Sequence, residues 1–97
     1  MAVLQLVRFR ARSGVEANEM MAINERFQRE VAPTLPGLER REATLSDEGE
    51  WLLVLRYSTL EEATAGPARD TSPVAMEFMS KIDMSTMSAS FHNVVSD

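Results

Sequence analysis

The stretch WLLVLRYSTLEEA, residues 51–63, changes its hydrophobic period in mid-course. From Trp51 to Tyr57 every position except Arg56 is apolar, the pattern of a strand covered on both faces. Thr59 followed three residues later by Glu62 is a capping-box spacing, in which hydroxyl and carboxylate satisfy the unpaired amides of a helix start. A second helix is therefore predicted to open there, with Leu60 and Ala63 in its first turns. The sequence on either side decides what kind of sheet this central strand belongs to.

Upstream, Ser46–Glu50 carries Asp47 and Gly49, which favour a reversing loop, and Leu38–Leu45 reads as its hairpin partner. Glu39, Arg40, Arg41 and Glu42 suit that strand to a solvated sheet edge. Leu35, Pro36 and Gly37 form a turn before it, and Pro33 ends a helix whose stripe is Met20, Ile23, Phe27 and Val31, with Glu19, Glu25, Arg26, Arg29 and Glu30 outside. Ser13 with Glu16 predicts the start of that helix. Val3–Arg12 alternates, with Val3, Val7, Phe9 and Ala11 beside Gln5 on one face and Leu4, Leu6, Arg8, Arg10 and Arg12 on the other. It is read as a second central strand.

Downstream, Gly66 and Pro67 interrupt the second helix, because interior Gly and Pro cost about 1 and 3 kcal/mol relative to Ala. They mark the expected gate of any pocket beside the sheet. Ser72 before Pro73 restarts the helix with a cap and a harmless first-turn proline, and Val74, Phe78 and Ile82, flanked by Met79, are its predicted stripe. Met87–Val95 then alternates as a last strand, with Phe91 toward the helices and His92 on the other face.

The order strand, helix, strand, strand, helix, strand predicts a single α+β domain over residues 1–97. It is a ferredoxin-like βαββαβ sandwich with sheet order 4-1-3-2 and both helices on one face. Both central strands are apolar on the second face as well, and 97 residues supply no third layer. A homodimer packed sheet to sheet is the economical cover, so the chain's first expected partner is itself.

Composition narrows the function classes. A formal net charge of -5 argues against nucleic acid, since phosphate affinity needs clustered Lys and Arg. The longest apolar run, Trp51–Leu55, is far short of the roughly 20 residues of a membrane span, and no room for a signal peptide precedes Val3. The absence of Cys fits a reducing, cytoplasmic setting and removes thiolate metal sites and thiol nucleophiles. The acidic groups Asp47, Glu48, Glu50 and Glu61, Glu62 lack histidine and calcium-loop spacing, and read as solvated surface. The methionines fall at core spacings, where they fill irregular gaps.

RFRARSG (residues 8–14), LPGL (35–38), WLLVLRYSTLEEA (51–63) and SPVAMEFMSKID (72–83) together resemble the dimeric α+β barrel superfamily, and within it the antibiotic-biosynthesis-monooxygenase-type domains. That resemblance implies a small organic ligand and, among the family's chemistries, cofactor-independent oxygenation of an aromatic or enolisable substrate. A non-catalytic ligand-binding or dimerisation module, and a cofactor-free isomerase or lyase, are the alternatives. A bulky aromatic, typically Trp in the family, stands where this chain has Tyr57. The haem-degrading branch uses a histidine of the second helix as iron ligand, whereas the one histidine here is His92, in the last strand, so no cofactor is expected.

The candidate site residues follow from strand parity. With Leu53, Leu55 and Tyr57 toward the helices, Arg56 joins Arg8 and His92 on the opposite face, on neighbouring strands. Arg8 and Arg56 would hold an anionic group and His92 would move a proton. Tyr57 and Trp51 would contact an aromatic ligand, or Trp51 would pack against a loop or partner chain. The competing structural reading pairs both arginines with Asp or Glu across the dimer interface.

Overall fold

A computed structural model of the chain describes residues 1–66 and 70–97. Its elements are β1 (Val3–Ala11), α1 (Ala17–Glu30), a 3-10 turn (Ala32–Thr34), β2 (Leu38–Leu45), β3 (Glu50–Tyr57), α2 (Leu60–Ala65), α3 (Pro73–Ser80) and β4 (Ile82–Asn93). The four strands form one sheet in the order β2-β3-β1-β4, every neighbouring pair antiparallel. The helices cover one face. This is the predicted ferredoxin-like sandwich, with the second helix in two pieces.

Local chemistry sets the boundaries. The Thr59 hydroxyl accepts from the Glu62 amide (3.2 Å) at the start of α2, and the Ser72 hydroxyl accepts from the Ala75 amide (3.3 Å) at the start of α3, as their spacing predicted. The first helix begins later than expected. Gly14 takes a positive φ of 90° in a turn after β1, and the capping pair is Glu16 with Glu19, whose carboxylate accepts from the Glu16 amide at 3.3 Å, rather than Ser13 with Glu16. Gly37, in LPGL, has a φ of 77° and lies hard against the Glu62 side chain, so a Cβ there would collide with it. The gate expected at Gly66 and Pro67 falls partly on residue 67, which lies outside the described residues; Gly66 itself closes α2 by donating to the Glu62 carbonyl at 3.1 Å.

The core lies between sheet and helices. Val3, Val7 and Phe9 of β1 and Trp51, Leu53, Leu55 and Tyr57 of β3 are buried against Met20, Ile23 and Phe27 of α1 and Val74, Ala75 and Phe78 of α3. Phe9 stacks on Trp51 with ring centroids 5.9 Å apart and meets Phe78 edge-on at 6.0 Å. Burial of such rings contributes about 1.5–3 kcal/mol per side chain.

Two irregularities change what faces this core. In β4, Arg8 pairs with Ser88 but Arg10 pairs with Asp83, so Met84, Ser85, Thr86 and Met87 stand opposite Phe9 alone. This bulge reverses the alternation: Ile82 before it and Met87 after it both turn inward. Ile82 therefore belongs to β4, not to the helical stripe, and the strand starts five residues before the expected Met87. In β2, Leu38 pairs with Tyr57 while Arg40 pairs with Arg56, leaving Glu39 as an extra residue. The parity switch turns Arg41, Ala43 and Leu45 toward the helices. Arg41, predicted on a solvated edge, is only 7% exposed.

Candidate functional site

Between the sheet and the helices lies a cavity of about 230 Å3 whose walls are almost wholly apolar. Phe9, Leu53 and Leu55 form its floor, Phe27, Phe78 and Met79 its helical wall, and Met87 and Ala89 its β4 side. Two polar side chains enter it, Gln5 and Arg41. Both are placed by register. Gln5 pairs with Leu55, and Leu55 pairs with Arg41, so the two polar residues flank one leucine on a single rung of the sheet.

Arg41 is held by neutral groups. Its Nη1 donates to Gln28 Oε1 and its Nη2 to Asn24 Oδ1, each at 2.8 Å, and its guanidinium lies 4.8 Å from the Phe27 ring centroid and 5.7 Å from that of Phe78. Its Nε is buried with no partner among the described residues. Burial pushes the Arg41 pKa down to about 10, with the Tyr57 phenol pulling the other way, so the side chain is a cation at neutral pH. Gln5 Oε1 is likewise buried and without a partner among the described residues. A buried donor or acceptor left unsatisfied costs about 1–3 kcal/mol, which a suitable ligand atom would recover.

Trp51 and Tyr57, two of the expected site residues, belong to this helix-covered face, though neither lines the cavity. Trp51 packs behind Phe9 and borders a wider, shallower groove of about 560 Å3 shared with Asn18, Met21 and Leu45. The Tyr57 hydroxyl is buried beneath Gly66 and has no partner among the described residues. Burial pushes its pKa up to about 12, against the opposing pull of Arg41.

Arg8, Arg56 and His92 lie on the open face, as parity predicted. There they are engaged within the chain. Arg8 reaches Glu50 at 3.4 Å, and Arg56 joins Glu39 at 3.1 Å and Asp97 at 2.7 Å, the hydrogen bonds to Asp97 first and Glu39 second raising its pKa. The His92 ring lies 2.9 Å from the Ser90 hydroxyl, exposed. Within one chain, both arginines already have carboxylate partners. Leu4, Leu6, Leu52 and Val54, half-buried, occupy the centre of this face.

The five expected residues thus divide between two faces, and the polar pair of the partly enclosed cavity, Gln5 and Arg41, was not among them. A signal for Arg41 exists in the sequence. Leu38 and the apolar pair Ala43, Leu45 have opposite parity, which requires an extra residue between them and carries Arg41 inward with Ala43.

No family model matches the chain. No curated protein matches it. Solved structures do match, over nearly its whole length. SnoaB, a cofactor-independent oxygenase from Streptomyces nogalater, is 11% identical, with 99% of this chain and 95% of that chain covered and a TM-score of 0.76. A putative antibiotic biosynthesis monooxygenase from Caulobacter crescentus is 12% identical over 98% of this chain and 91% of that one, also at 0.76. A dimeric protein of unknown function and ferredoxin-like fold from Bacteroides fragilis is 16% identical, 96% of each chain being covered, at 0.66. The chain has the fold of the antibiotic-biosynthesis-monooxygenase-type proteins, as its motifs implied; at these identities the likeness is one of fold.

Proposed function

We propose that this protein is a homodimer of the α+β barrel type that binds an aromatic or enolisable small molecule between its sheet and helices and oxygenates it without a cofactor. One observation carries the reading: a partly enclosed apolar cavity with a buried cation on its wall, in a fold shared with a cofactor-independent oxygenase. At about 230 Å3 the cavity is smaller than the roughly 300–1,000 Å3 usual for drug-sized ligands, which suits one or two fused rings.

The chemistry asks little of the protein. An enolisable CH2 loses a proton to give a delocalised anion, which passes an electron to dioxygen; the radicals combine in a C–O bond, and the resulting peroxide loses water. The balance is CH2 + O2 → C=O + H2O, dioxygen serving as both oxidant and oxygen source. Arg41 stabilises the anion, an effect strengthened by the low dielectric around it. None of the lining residues is a carboxylate or imidazole, so the proton leaves to solvent and the cavity's contribution is to hold the anion.

Dimerisation through the open face would cover Leu4, Leu6, Leu52 and Val54, with apolar burial stabilising association at about 25 cal/mol per Å2. Arg8, Arg56 and His92 would then line the interface. Oxygen uptake with a panel of one- and two-ring quinols and enolisable methylenes tests the enzyme reading; binding without uptake would leave a non-catalytic ligand-binding module, the reading that the lack of an acid–base pair in the cavity favours. The isomerase alternative, with His92 as base, predicts proton exchange at a substrate carbon that stops in His92→Ala.

A further inference from the structure

Resting on the reading of this cavity as a small-molecule site, we propose that Arg41 makes it selective for ligands that carry a carboxylate, with a hydroxyl at the ligand's other end received by Gln5. Charge supplies the first argument. Arg8, Arg26, Arg29, Arg40 and Arg56 each sit within ion-pair distance of a carboxylate. Arg41, far more buried than these, is met among the described residues by two carboxamides and two aromatic rings, none of which carries charge. A buried cation without counter-charge is costly, and the cost is removed by an anion delivered to the same wall.

Geometry supplies the second. Asn24 and Gln28 each take one Nη atom, and the Nε–H, itself shielded from water, has no partner on its edge of the guanidinium among the described residues. That edge, one Nε–H beside one Nη N–H, matches the two oxygens of a carboxylate. Gln5, a lining residue whose buried Oε1 is also unpartnered among the described residues, lies two strands away on the same rung, so the backbones of the two residues are separated by roughly 9.5 Å. Leu55 lies between them, and Phe27 and Phe78 face it from the helices. A flat aromatic frame with an anionic oxygen pair at one end and a hydroxyl donor at the other satisfies both atoms at once and keeps its rings against apolar walls.

Calorimetric titration with three probes tests this at neutral pH: a hydroxynaphthoate, the matching hydroxynaphthamide, and naphthoate without the hydroxyl. The wild-type protein is expected to bind the hydroxynaphthoate about tenfold or more tightly than the amide, and naphthoate a few-fold more weakly than its hydroxylated form. Arg41→Gln should abolish the preference for the carboxylate. Arg41→Lys, which keeps the charge but not the planar fork, should weaken the carboxylate probe several-fold and leave the amide unchanged. Equal wild-type affinities for acid and amide, or a preference that survives Arg41→Gln, would overturn the selectivity while leaving the cavity reading intact; failure of every probe to bind would remove both. The wild-type comparison needs no variant, so poor folding of Arg41→Gln does not rescue the proposal.

Discussion

The two faces of the sheet treat polar groups in opposite ways. On the open face Arg8, Arg56 and His92 all have partners, in side chains that water also reaches. On the helix-covered face Gln5, Arg41 and Tyr57 each hold a buried atom with no partner among the described residues. Exposed ion pairs are worth about 0–1 kcal/mol, whereas a buried orphan costs about 1–3 kcal/mol. The open face loses little by its charges and keeps Leu4, Leu6, Leu52 and Val54 half-buried at its centre. The covered face tolerates a larger cost at three atoms, two of them on residues that line one cavity, and that asymmetry is what directs attention to a ligand there.

Four experiments break or sharpen the contrast. The largest effect belongs to the covered face: Phe78→Ala, which strips a ring packed against Phe9, Phe27 and Arg41, should cost about 3–5 kcal/mol in urea unfolding. Phe91→Ala, on the same face by register but 42% exposed, should cost under about 1 kcal/mol. On the open face Leu6→Asp should leave the circular-dichroism spectrum of the protomer unchanged yet weaken self-association about a hundredfold, close to 3 kcal/mol, in sedimentation. A protein that sediments as a single subunit at micromolar concentration would end the dimer reading.

The third uses pH. Tyr57 is the one tyrosine, so phenolate absorbance reads it alone, titrating near 12 in the folded protein and near 10 when denatured. Because the folded pKa is the higher, the unfolded chain releases its proton first, and stability present below pH 10 is lost as pH rises toward 12. The loss relative to Tyr57→Phe should approach 3 kcal/mol, that is 12 − 10 = 2 pH units at about 1.4 kcal/mol each. The smallest effect is Arg8→Met, which removes an exposed 3.4 Å ion pair with Glu50 and should change stability by less than about 0.5 kcal/mol.

What the sequence disclosed depended on regular pairing. Wherever β-residues alternate without interruption, as in β1 and β3, parity assigned every side chain to its observed face, and the caps at Thr59 and Ser72 fixed α2 and α3. The late start of α1 apart, the errors of assignment sit at bulges. The extra residue Glu39 turned Arg41 from the predicted edge into the core, and the four residues opposite Phe9 disguised Ile82 as the end of a helix. Bulges reset the period that sequence reading relies on, and the same two bulges bring Arg41, Ile82 and Met87 to the cavity wall. The candidate site was therefore hidden by the features that build it, whereas the face on which Arg8, Arg56 and His92 lie followed from parity, because the bulged residues fall on the strands opposite Arg8 and Arg56 and well before His92.

The β4 bulge has a further consequence at the sheet's outer margin. Asp83 secures it, accepting from the Ser85 amide at 3.1 Å and the Ser85 hydroxyl at 2.6 Å through Oδ1, while the Arg10 amide donates at 2.9 Å to the Thr86 hydroxyl instead of to a strand carbonyl. A 12-residue outermost strand would otherwise offer an unbroken row of backbone donors and acceptors to any passing chain. The interruption near its start shortens that row and skews its direction, so growth by strand addition into filaments is discouraged. The proposed stacking of two sheets, by contrast, would close after two copies.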